Sequence, residues 1–347
     1  MNWERAMRGS GFGVLFMVTA IINFYAMGRM CALLGTGNPL ASLAYSLGLT
    51  GLLVAGFLVR ASSGTAFKAL FVAVTAVYSM EFAALTLLIP FEIINILFRL
   101  PARESGVAIL CFVAALTLVS AVNSQRIGVR RVRLPFPFGL RAVQLSDAHI
   151  GAVHGARYLA RVVERVNALA PDIVLITGDV VSGAAPPGDS RLEGFAGLKA
   201  RTLMAPGNHE FYEGMDEMEK ALPKNIELLR DREADMGAYS IFGADFLGDQ
   251  GVSGTRILKR EFSKPVIVLA HVPQFFDLPD GSVILSGHYH GGQVFPFNFL
   301  GRLFIKYFSG VYVKDGITLY VSPGTATWGP PMRFGSTNEI TLLELGP

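Results

Sequence analysis

Residues 172–179 read Asp172-Ile-Val-Leu-Ile-Thr-Gly-Asp179, an apolar run that stops at a glycine and a carboxylate. A near-continuous apolar run of this length is typical of a β-strand that is buried on both faces of a sheet. The glycine lets the backbone bend without a Cβ clash, and the carboxylate follows at once. We therefore predict a central strand that places Asp179 at the end of a sheet.

Similar segments lie on both sides of this strand. Strands interleaved with helices predict an α/β layered domain in the polar half of the chain. The predicted strands are Arg130–Leu134, Leu140–Leu145, Thr202–Ala205, Pro265–Ala270, Val283–Leu285, Thr318–Val321 and Glu339–Leu345, and the predicted helices are Ala156–Ala168 and Met215–Leu222.

Polar residues recur where the apolar strands stop. In open α/β sheets, the loops beyond the carboxyl ends of the strands form the binding crevice. Five strand ends are therefore expected to bring metal-type ligands to one edge, and their first ligands are Asp147, Asp179, Asn208, His271 and His288.

Two of these strand ends carry a pair of ligands each, Asp147-Ala-His149 and His288-Tyr-His290. In extended backbone, residues i and i+2 point to the same side, so each pair can converge on one metal region. A mixture of His, Asp and Asn ligands suits Mn, Fe or Zn better than Ca or Mg, and does not choose among the three. Each motif alone also occurs in turns and cores; the prediction rests on their combination.

The first part of the chain is apolar. Residues 1–122 contain no Asp and four Glu, against seven basic residues, and the mean hydropathy of the whole chain is +0.44. A bilayer core needs roughly 20 apolar residues as helix. A cleaved signal peptide explains only the first segment, so we predict four spans. They lie near Gly9–Gly28, Leu40–Val59, Ala66–Ile89 (stopped by Pro90) and Gly106–Val122.

These observations predict three regions: a four-span transmembrane region at 1–122, a linker with the first strand at 123–140, and a catalytic domain at 141–347. Eight basic residues flank the spans on the side of the catalytic domain and three on the other side, which predicts a multi-pass protein of the inner or cell membrane with a cytoplasmic domain. Residues 123–347 carry 23 acidic and 23 basic residues, and a neutral domain gives no reason to expect nucleic-acid binding.

Two features allow two interpretations each. Glu81, near the middle of the third span, is either a proton or ligand site or a protonated group packed between helices. The aromatic segment Phe295–Tyr312 is either a capping loop or a surface that meets lipid. Phe91–Leu100 is interpreted as an interfacial extension of the third helix, and His154 as a helix cap or a surface residue.

The polar half resembles the calcineurin-like metallophosphoesterases from about residue 126 to the end of the chain. The tail from Ser322 to Arg333 is similar to the membrane-tethered bacterial branch of that family, and Tyr289 stands where the family commonly has Thr. The matching motifs are Asp147-Ala-His149, Gly178-Asp179, Gly207-Asn208-His209-Glu210, His271 and Gly287-His288-Tyr289-His290-Gly291-Gly292-Gln293.

The resemblance implies a fold of two packed mixed β-sheets flanked by helices and a site with two divalent metal ions. It implies that one ion is held by Asp147, His149 and His290. It implies that the other is held by Asn208, His271 and His288, with Asp179 bridging. His209 neighbours a ligand without being one and is the predicted general acid. Asn208 and Arg333 are predicted to contact substrate, although Arg333 could equally form a structural ion pair.

The functional hypothesis is a membrane-bound two-metal hydrolase. It cleaves phosphate esters, in particular a phosphodiester or pyrophosphate of a lipid-linked substrate, by in-line attack of a metal-bridging hydroxide. The alternatives are a general phosphomonoesterase, a cyclic-nucleotide phosphodiesterase, and a non-enzymatic membrane scaffold that retains the domain.

Overall fold

The computed structural model describes residues 10–58, 65–151, 153–182, 190–247, 252–253 and 260–347. Within these ranges the chain begins with a bundle of four helices and continues into a domain built on two β-sheets. The helices of the bundle are α1 (Ser10–Leu33), α2 (Pro39–Leu58), α3 (Thr65–Phe98) and α4 (Ala102–Ser124).

The four helices pack against one another, and α1 contacts each of the other three. The centre of the bundle is small: Leu33, Leu88 and Val113 are buried there. Many large apolar side chains of the bundle are exposed instead, for example Ile96 and Leu118. A helix that is apolar all round suits a bilayer better than water.

Two of the helical segments, among the residues described, are long and apolar enough to cross a membrane: Ala69–Phe98 and Ala102–Ser124. The corresponding parts of α1 and α2 are shorter, at Met17–Leu33 and Pro39–Ala55. Helix α3 continues through Pro90 to Phe98, so this proline does not end the helix, and the prediction that the segment after it extends the third helix is confirmed. A proline removes one N–H donor, but the other backbone groups have no partner in an apolar medium except the helix itself.

The first sheet has the strand order β1-β14-β2-β3-β4-β5. Strand β1 pairs with β14 along its whole length, so the segment 123–140 contains a strand of the sheet, as predicted. The strands are β1 (Gly128–Pro135), β2 (Leu140–Leu145), β3 (Ile173–Thr177), β4 (Arg201–Ala205), β5 (Ile226–Leu228) and β14 (Glu339–Gly346).

The second sheet has the order β12-β13-β11-β10-β7-β6 and, like the first, mixes parallel and antiparallel pairs. A separate short hairpin is formed by β8 (Phe246–Leu247) and β9 (Val252–Ser253). The strands of the second sheet are β6 (Arg232–Asp235), β7 (Ser240–Gly243), β10 (Val266–Leu269), β11 (Val283–Ser286), β12 (Gly310–Lys314) and β13 (Ile317–Val321).

The two sheets pack face to face around β3. Its alternate residues point in opposite directions: Ile173 and Leu175 face the second sheet, whereas Val174 and Ile176 face the helix α5 (Ala156–Ala168). The strand is thus buried on both faces, as predicted. The other helical segments described are two 3-10 helices (Ser190–Gly197 and His290–Gly292), α6 (Asn208–Glu213), α7 (Met215–Ala221) and α8 (Phe297–Phe304).

Candidate metal centre

Seven polar side chains meet where strands of both sheets end. The first sheet supplies the loops after β2, β3 and β4, and the second sheet supplies those after β10 and β11. The prediction of one shared edge is therefore refined: the site lies at the joint end of two sheets, not at the edge of one. Five of these side chains are buried and two, His288 and His290, are partly exposed; the full set is Asp147, His149, Asp179, Asn208, His271, His288 and His290.

The backbone at these residues is not extended, so the predicted reason for the convergence of the two ligand pairs is wrong. Asp147 and His149 have φ of 53° and 42°, and His288 and His290 have φ of 76° and 52°. The strands end two residues earlier, and the chain turns back through the left-handed region, held by a bond from Asp147 N to Gly178 O (3.0 Å). Such residues cost of order 1 kcal/mol or more each and cluster at functional sites.

Two glycines make room for the carboxylates. A Cβ atom on Gly287 would overlap Asp147 Oδ2, and a Cβ atom on Gly207 would overlap Asp179 Oδ1. Neither glycine has a positive φ, so what requires glycine at both positions is the close approach of another loop.

Asp147, His149 and His290 form a first ligand cluster. The Nε2 atoms of the two imidazoles are 3.1 Å apart, and His290 Nε2 is 3.4 Å from Asp147 Oδ1. Two ligand atoms that each lie about 2.1 Å from one ion, at an angle near 90–110°, are separated by about 3.0–3.4 Å. His149 Nδ1 lies 3.1 Å from Val181 O, which leaves Nε2 directed at the cluster.

Asp179, His271 and His288 form a second cluster. His271 Nε2 lies 3.1 Å from Asp179 Oδ2 and 3.2 Å from His288 Nδ1, while its own Nδ1 lies 2.8 Å from Thr177 O. The same Asp179 Oδ2 is 3.8 Å from His149 Nε2, so it lies between the two clusters. Asn208 Oδ1 is buried and, in the part of the chain described, has no hydrogen-bond partner.

The charges of the site favour a bound cation. Burial lowers the pKa of His149, and burial with the neighbouring His271 lowers the pKa of His288 to about 4, so both imidazoles keep a free lone pair. Burial also lowers the pKa of His271, but Asp179 outweighs it and raises that pKa to about 10. His271 thus carries a proton beside Asp179, in a position where a metal ion can replace it.

The residues present therefore fit a divalent metal centre. The donors combine neutral imidazoles, carboxylates and an orphaned amide oxygen, which is a set that suits Mn, Fe or Zn. A metal ion is one partner that would satisfy the buried Oδ1 of Asn208.

His209 lies beside the two clusters. Its backbone N–H donates to Asp179 Oδ1 (2.9 Å), and its Nε2 is 4.0 Å from Asp179 Oδ2. The ring meets the His149 ring edge to face and also lies against Trp328, whose side chain is 41% exposed. His209 therefore sits between the ligand clusters and the surface.

Glu210 is a residue of the site to which the sequence analysis assigned no role. Its buried carboxylate accepts hydrogen bonds from Gly207 N (2.6 Å), Asp179 N (2.8 Å) and Val180 N (2.8 Å), which joins the loops after β3 and β4. Burial and the charge of Asp179 raise its pKa to about 7, and the N–H donors oppose this shift. Its place three residues after Gly207 is the spacing of a capping box, a signal available in the sequence.

Two other predictions change. Arg333 is fully buried, and its guanidinium donates to the carbonyls of Pro323, Thr337 and Ala326, so it is not presented to a substrate phosphate. Among the residues described, no carboxylate forms an ion pair with it. His154 is also fully buried and lies 2.7 Å from Thr327 Oγ1, whereas a cap or surface position was expected. In both cases groups of the tail from residue 322 bind the polar side chain, although His154 Nδ1 and Arg333 Nε have no hydrogen-bond partner in the part of the chain described.

Comparison with known proteins agrees with this geometry. Residues 140–292 match the family described as calcineurin-like phosphoesterase. An uncharacterized metallophosphoesterase of Campylobacter jejuni is 32% identical over 269 residues, which cover 72% of this chain and 71% of that protein. The chain belongs to the calcineurin-like metallophosphoesterases. It is accordingly a metal-dependent phosphoesterase, and its His and Asp cluster is a site for divalent metal.

Two further relatives of this metallophosphoesterase bear on its surroundings. An uncharacterized metallophosphoesterase of Helicobacter pylori strain J99 is 35% identical over 225 residues, or 60% of each chain. A protein of Danio rerio named as a transmembrane protein with a metallophosphoesterase domain is 34% identical over 241 residues, which are 60% of this chain and 53% of that one. The chain thus spans little more than half the length of some relatives. The name of the Danio rerio protein and the apolar helices of this chain indicate association with a membrane.

Proposed function

We propose that this metallophosphoesterase is a membrane-bound two-metal hydrolase that cleaves a phosphodiester or pyrophosphate of a lipid-linked substrate. The observation that carries the proposal is the position of Asp179 Oδ2, which lies 3.1 Å from a ligand of one cluster and 3.8 Å from a ligand of the other. A carboxylate in such a position can be shared by two cations. A site for one ion needs no second cluster.

In the proposed assignment, Asp147, His149 and His290 hold one ion, and Asn208, His271 and His288 hold the other. Asp179 bridges them. The separation of the ligand atoms within each cluster supports this division, as does the unsatisfied oxygen of Asn208. Mn, Fe and Zn all suit the donors.

Bound metals would neutralise phosphate charge and lower the pKa of a water molecule near phosphorus. The remaining steps fall to the chain itself. The carbonyls of Val181 and Thr177 fix the rings of His149 and His271, so that the ligand nitrogens need not reorganise during reaction. His209 lies beside the clusters and against the exposed Trp328, from where it can protonate the leaving oxygen, and the neighbouring Asn208 can contact the substrate phosphate.

The proposed membrane arrangement has four spans at 1–122, with the segment 123–140 leading into a cytoplasmic catalytic domain at 141–347 in the inner or cell membrane. The packing of all four helices into one bundle supports four spans rather than two. Helix α4 ends only a few residues before β1, so the domain lies close to the membrane whatever its substrate. A lipid-linked phosphate is then the substrate within reach.

The proposal is tested on the full-length protein, purified in detergent with Mn, Fe or Zn. Metal analysis should give about two ions per chain. The Asp179→Asn variant should lose metal, whereas Asp172→Asn, which changes an exposed carboxylate at the opposite end of β3, should keep it. A full metal complement in Asp179→Asn would refute the bridging role.

The substrate is tested with a panel of phosphomonoesters, cyclic nucleotides, phosphodiesters, phospholipids and nucleotide-linked lipids. We expect the highest kcat/KM for a lipid-linked diester or pyrophosphate. A preference for water-soluble monoesters or cyclic nucleotides would replace the lipid assignment by one of those activities, and a metal-loaded protein inactive on every ester would favour a scaffold.

A further inference from the structure

We infer that helix α8 is inserted in the membrane interface beside the bundle, so that the metal centre opens toward the bilayer surface. The partner of this helix is the headgroup region of a lipid bilayer. Together with the proposed function, this defines the substrate class as an amphiphilic phosphate ester that reacts while its apolar part remains in the membrane.

The first observation is the composition of the exposed face of α8. Phe299, Leu303 and Phe304 are all exposed on a helix of only eight residues, and Leu303 and Phe304 are 75% and 82% exposed. Asn298 lies on the opposite, buried side. Large apolar patches on a soluble surface usually mark a binding face. An apolar face combined with a basic residue, here Arg302, is typical of helices that lie in the plane of the bilayer interface.

Helix α8 also contacts the helical bundle. The ring of Phe297 stacks on the ring of Phe82 in α3, with centroids 4.7 Å apart and planes 10° apart. Helix α3 includes one of the two segments that are long and apolar enough to span a membrane. The exposed side of α8 is thus continuous with a surface that itself requires lipid.

Contacts between the catalytic domain and the end of α4 indicate how deep this region lies in the membrane. The backbone N–H of Arg333 donates to Ser120 O (2.9 Å), and Asn338 Nδ2 donates to Ser124 O (2.6 Å). Ser120 is four residues before the end of α4, which corresponds to about 6 Å along the helix axis. The loop 333–338 therefore reaches the depth of about 5–10 Å at which interfacial helices lie.

The loop 333–338 also contacts the segment that carries the proposed metal ligand His290. Phe334 N donates to Gln293 O (2.8 Å), and Ser336 Oγ lies 3.4 Å from His290 O. Helix α8 begins four residues after Gln293, so the ligand His290, the loop 333–338 and α8 form one continuous layer against the bundle. The bundle is then more than a tether, because it sets the side from which the site is approached.

The test measures depth directly. In a background with Cys31→Ser and Cys111→Ser, a single cysteine is introduced as Leu303→Cys or, as a control, Lys224→Cys, and is labelled with a fluorophore. Lys224 is exposed next to β5, the edge strand farthest from β1, about 24 Å away across the sheet. The proteins are placed in vesicles of phosphatidylethanolamine and phosphatidylglycerol, and quenching by doxyl-labelled lipid is compared with quenching by iodide.

We expect the label at 303 to be quenched several-fold more strongly by lipid than the label at 224, and the reverse with iodide. Equal quenching by iodide at both positions would overturn the inference. So would protection at 303 from both quenchers, which would indicate cover by protein such as a second copy. The measurement needs no turnover: a lipid-quenched label on a protein inactive on every ester would refute the proposed function alone, and an active protein with a water-exposed label would refute this inference alone.

Discussion

At the scale of the residue, His209 differs from the other imidazoles of the site because its backbone N–H donates to Asp179 Oδ1 while its ring packs against Trp328. If it acts as general acid, His209→Ala should keep its metal and lose about 10²–10⁴-fold in kcat. The loss should be largest for substrates with poor leaving groups, which depend most on protonation. Steady-state kinetics on a series of esters, together with metal analysis, measures both effects.

The contrasting variant is His271→Ala, which removes a proposed ligand and should lower metal content. Unchanged turnover of His209→Ala on an unactivated ester would rule out the acid role. Loss of metal in the same variant would instead assign His209 to the metal shell.

His154 predicts a pH dependence of stability. Burial, followed by the charge of Arg333, lowers its pKa to about 3, whereas in the unfolded chain its pKa is about 6.5. Below a pH of about 6.5, His154 therefore binds a proton in the unfolded state but not in the folded state. The free energy of unfolding then falls by about 1.4 kcal/mol per pH unit because of this residue. His154→Gln removes this contribution.

The melting temperatures of the two proteins in detergent should accordingly diverge as the pH falls from about 7.5 to about 5.5, with the wild type falling more steeply. Other histidines titrate in the same range, so the comparison concerns the difference in slope between the two proteins. Parallel curves would show that His154 is not neutral and buried in solution.

His154 and Arg333 also show why sequence patterns do not reveal burial of single polar groups. Nothing beside either residue in the sequence predicts that the tail from residue 322 will fold over it. The partners of His154 are 173 residues away, and those of Arg333 are backbone carbonyls, which carry no sequence signal. The metal-type residues were predictable because several types recur together at strand ends.

At the scale of the element, the glycines at the strand ends offer a test of how the loops approach each other. A Cβ atom in Gly287→Ala would overlap Ser146 Oγ and Asp147 Oδ2, so the loops after β2 and β11 must separate. Displacing Asp147 should weaken metal binding by about 10–100-fold, the usual effect of disturbing the support of a ligand. The affinity for metal is measured by titrating the metal-free protein with metal ions and recording the activity at each concentration.

Gly139→Ala is the matched control, because no atom lies within 4 Å of a Cβ atom built at Gly139. Its metal affinity should equal that of the wild type. Equal affinity in Gly287→Ala would mean that the loop after β11 can move away without disturbing Asp147.

The elements that the sequence predicted well are those with long apolar runs or clear helical spacing. Helix α5 and strand β2 have the predicted bounds. The strands β5, β6 and β7 were not predicted, since they are only three or four residues long and two of them lie at sheet edges. The ligands were predicted to converge through extended backbone, whereas left-handed turns bring them together, because periodicity carries no information on the chain beyond the end of a strand.

At the scale of the whole molecule, the bundle and the catalytic domain differ in polarity but are in direct contact. The bundle is apolar with few charges, and the domain is polar and neutral. The loop 333–338 and α8 join them near the end of α4. An arrangement of this kind fixes the distance of the metal centre from the bilayer, which a flexible linker would leave variable.

Orientation in the membrane is the property that the charges predict for the whole chain. With four spans, the N-terminus, the loop between α2 and α3 and the catalytic domain share a side that holds eight basic residues against three, so this side should be cytoplasmic. Green fluorescent protein fused after Pro347 should fluoresce, and alkaline phosphatase fused there should be inactive. Fusions after Leu100, between α3 and α4, should behave in the opposite way. Active phosphatase at the C-terminus would place the metal centre outside the cytoplasm and imply an odd number of spans or a reversed bundle.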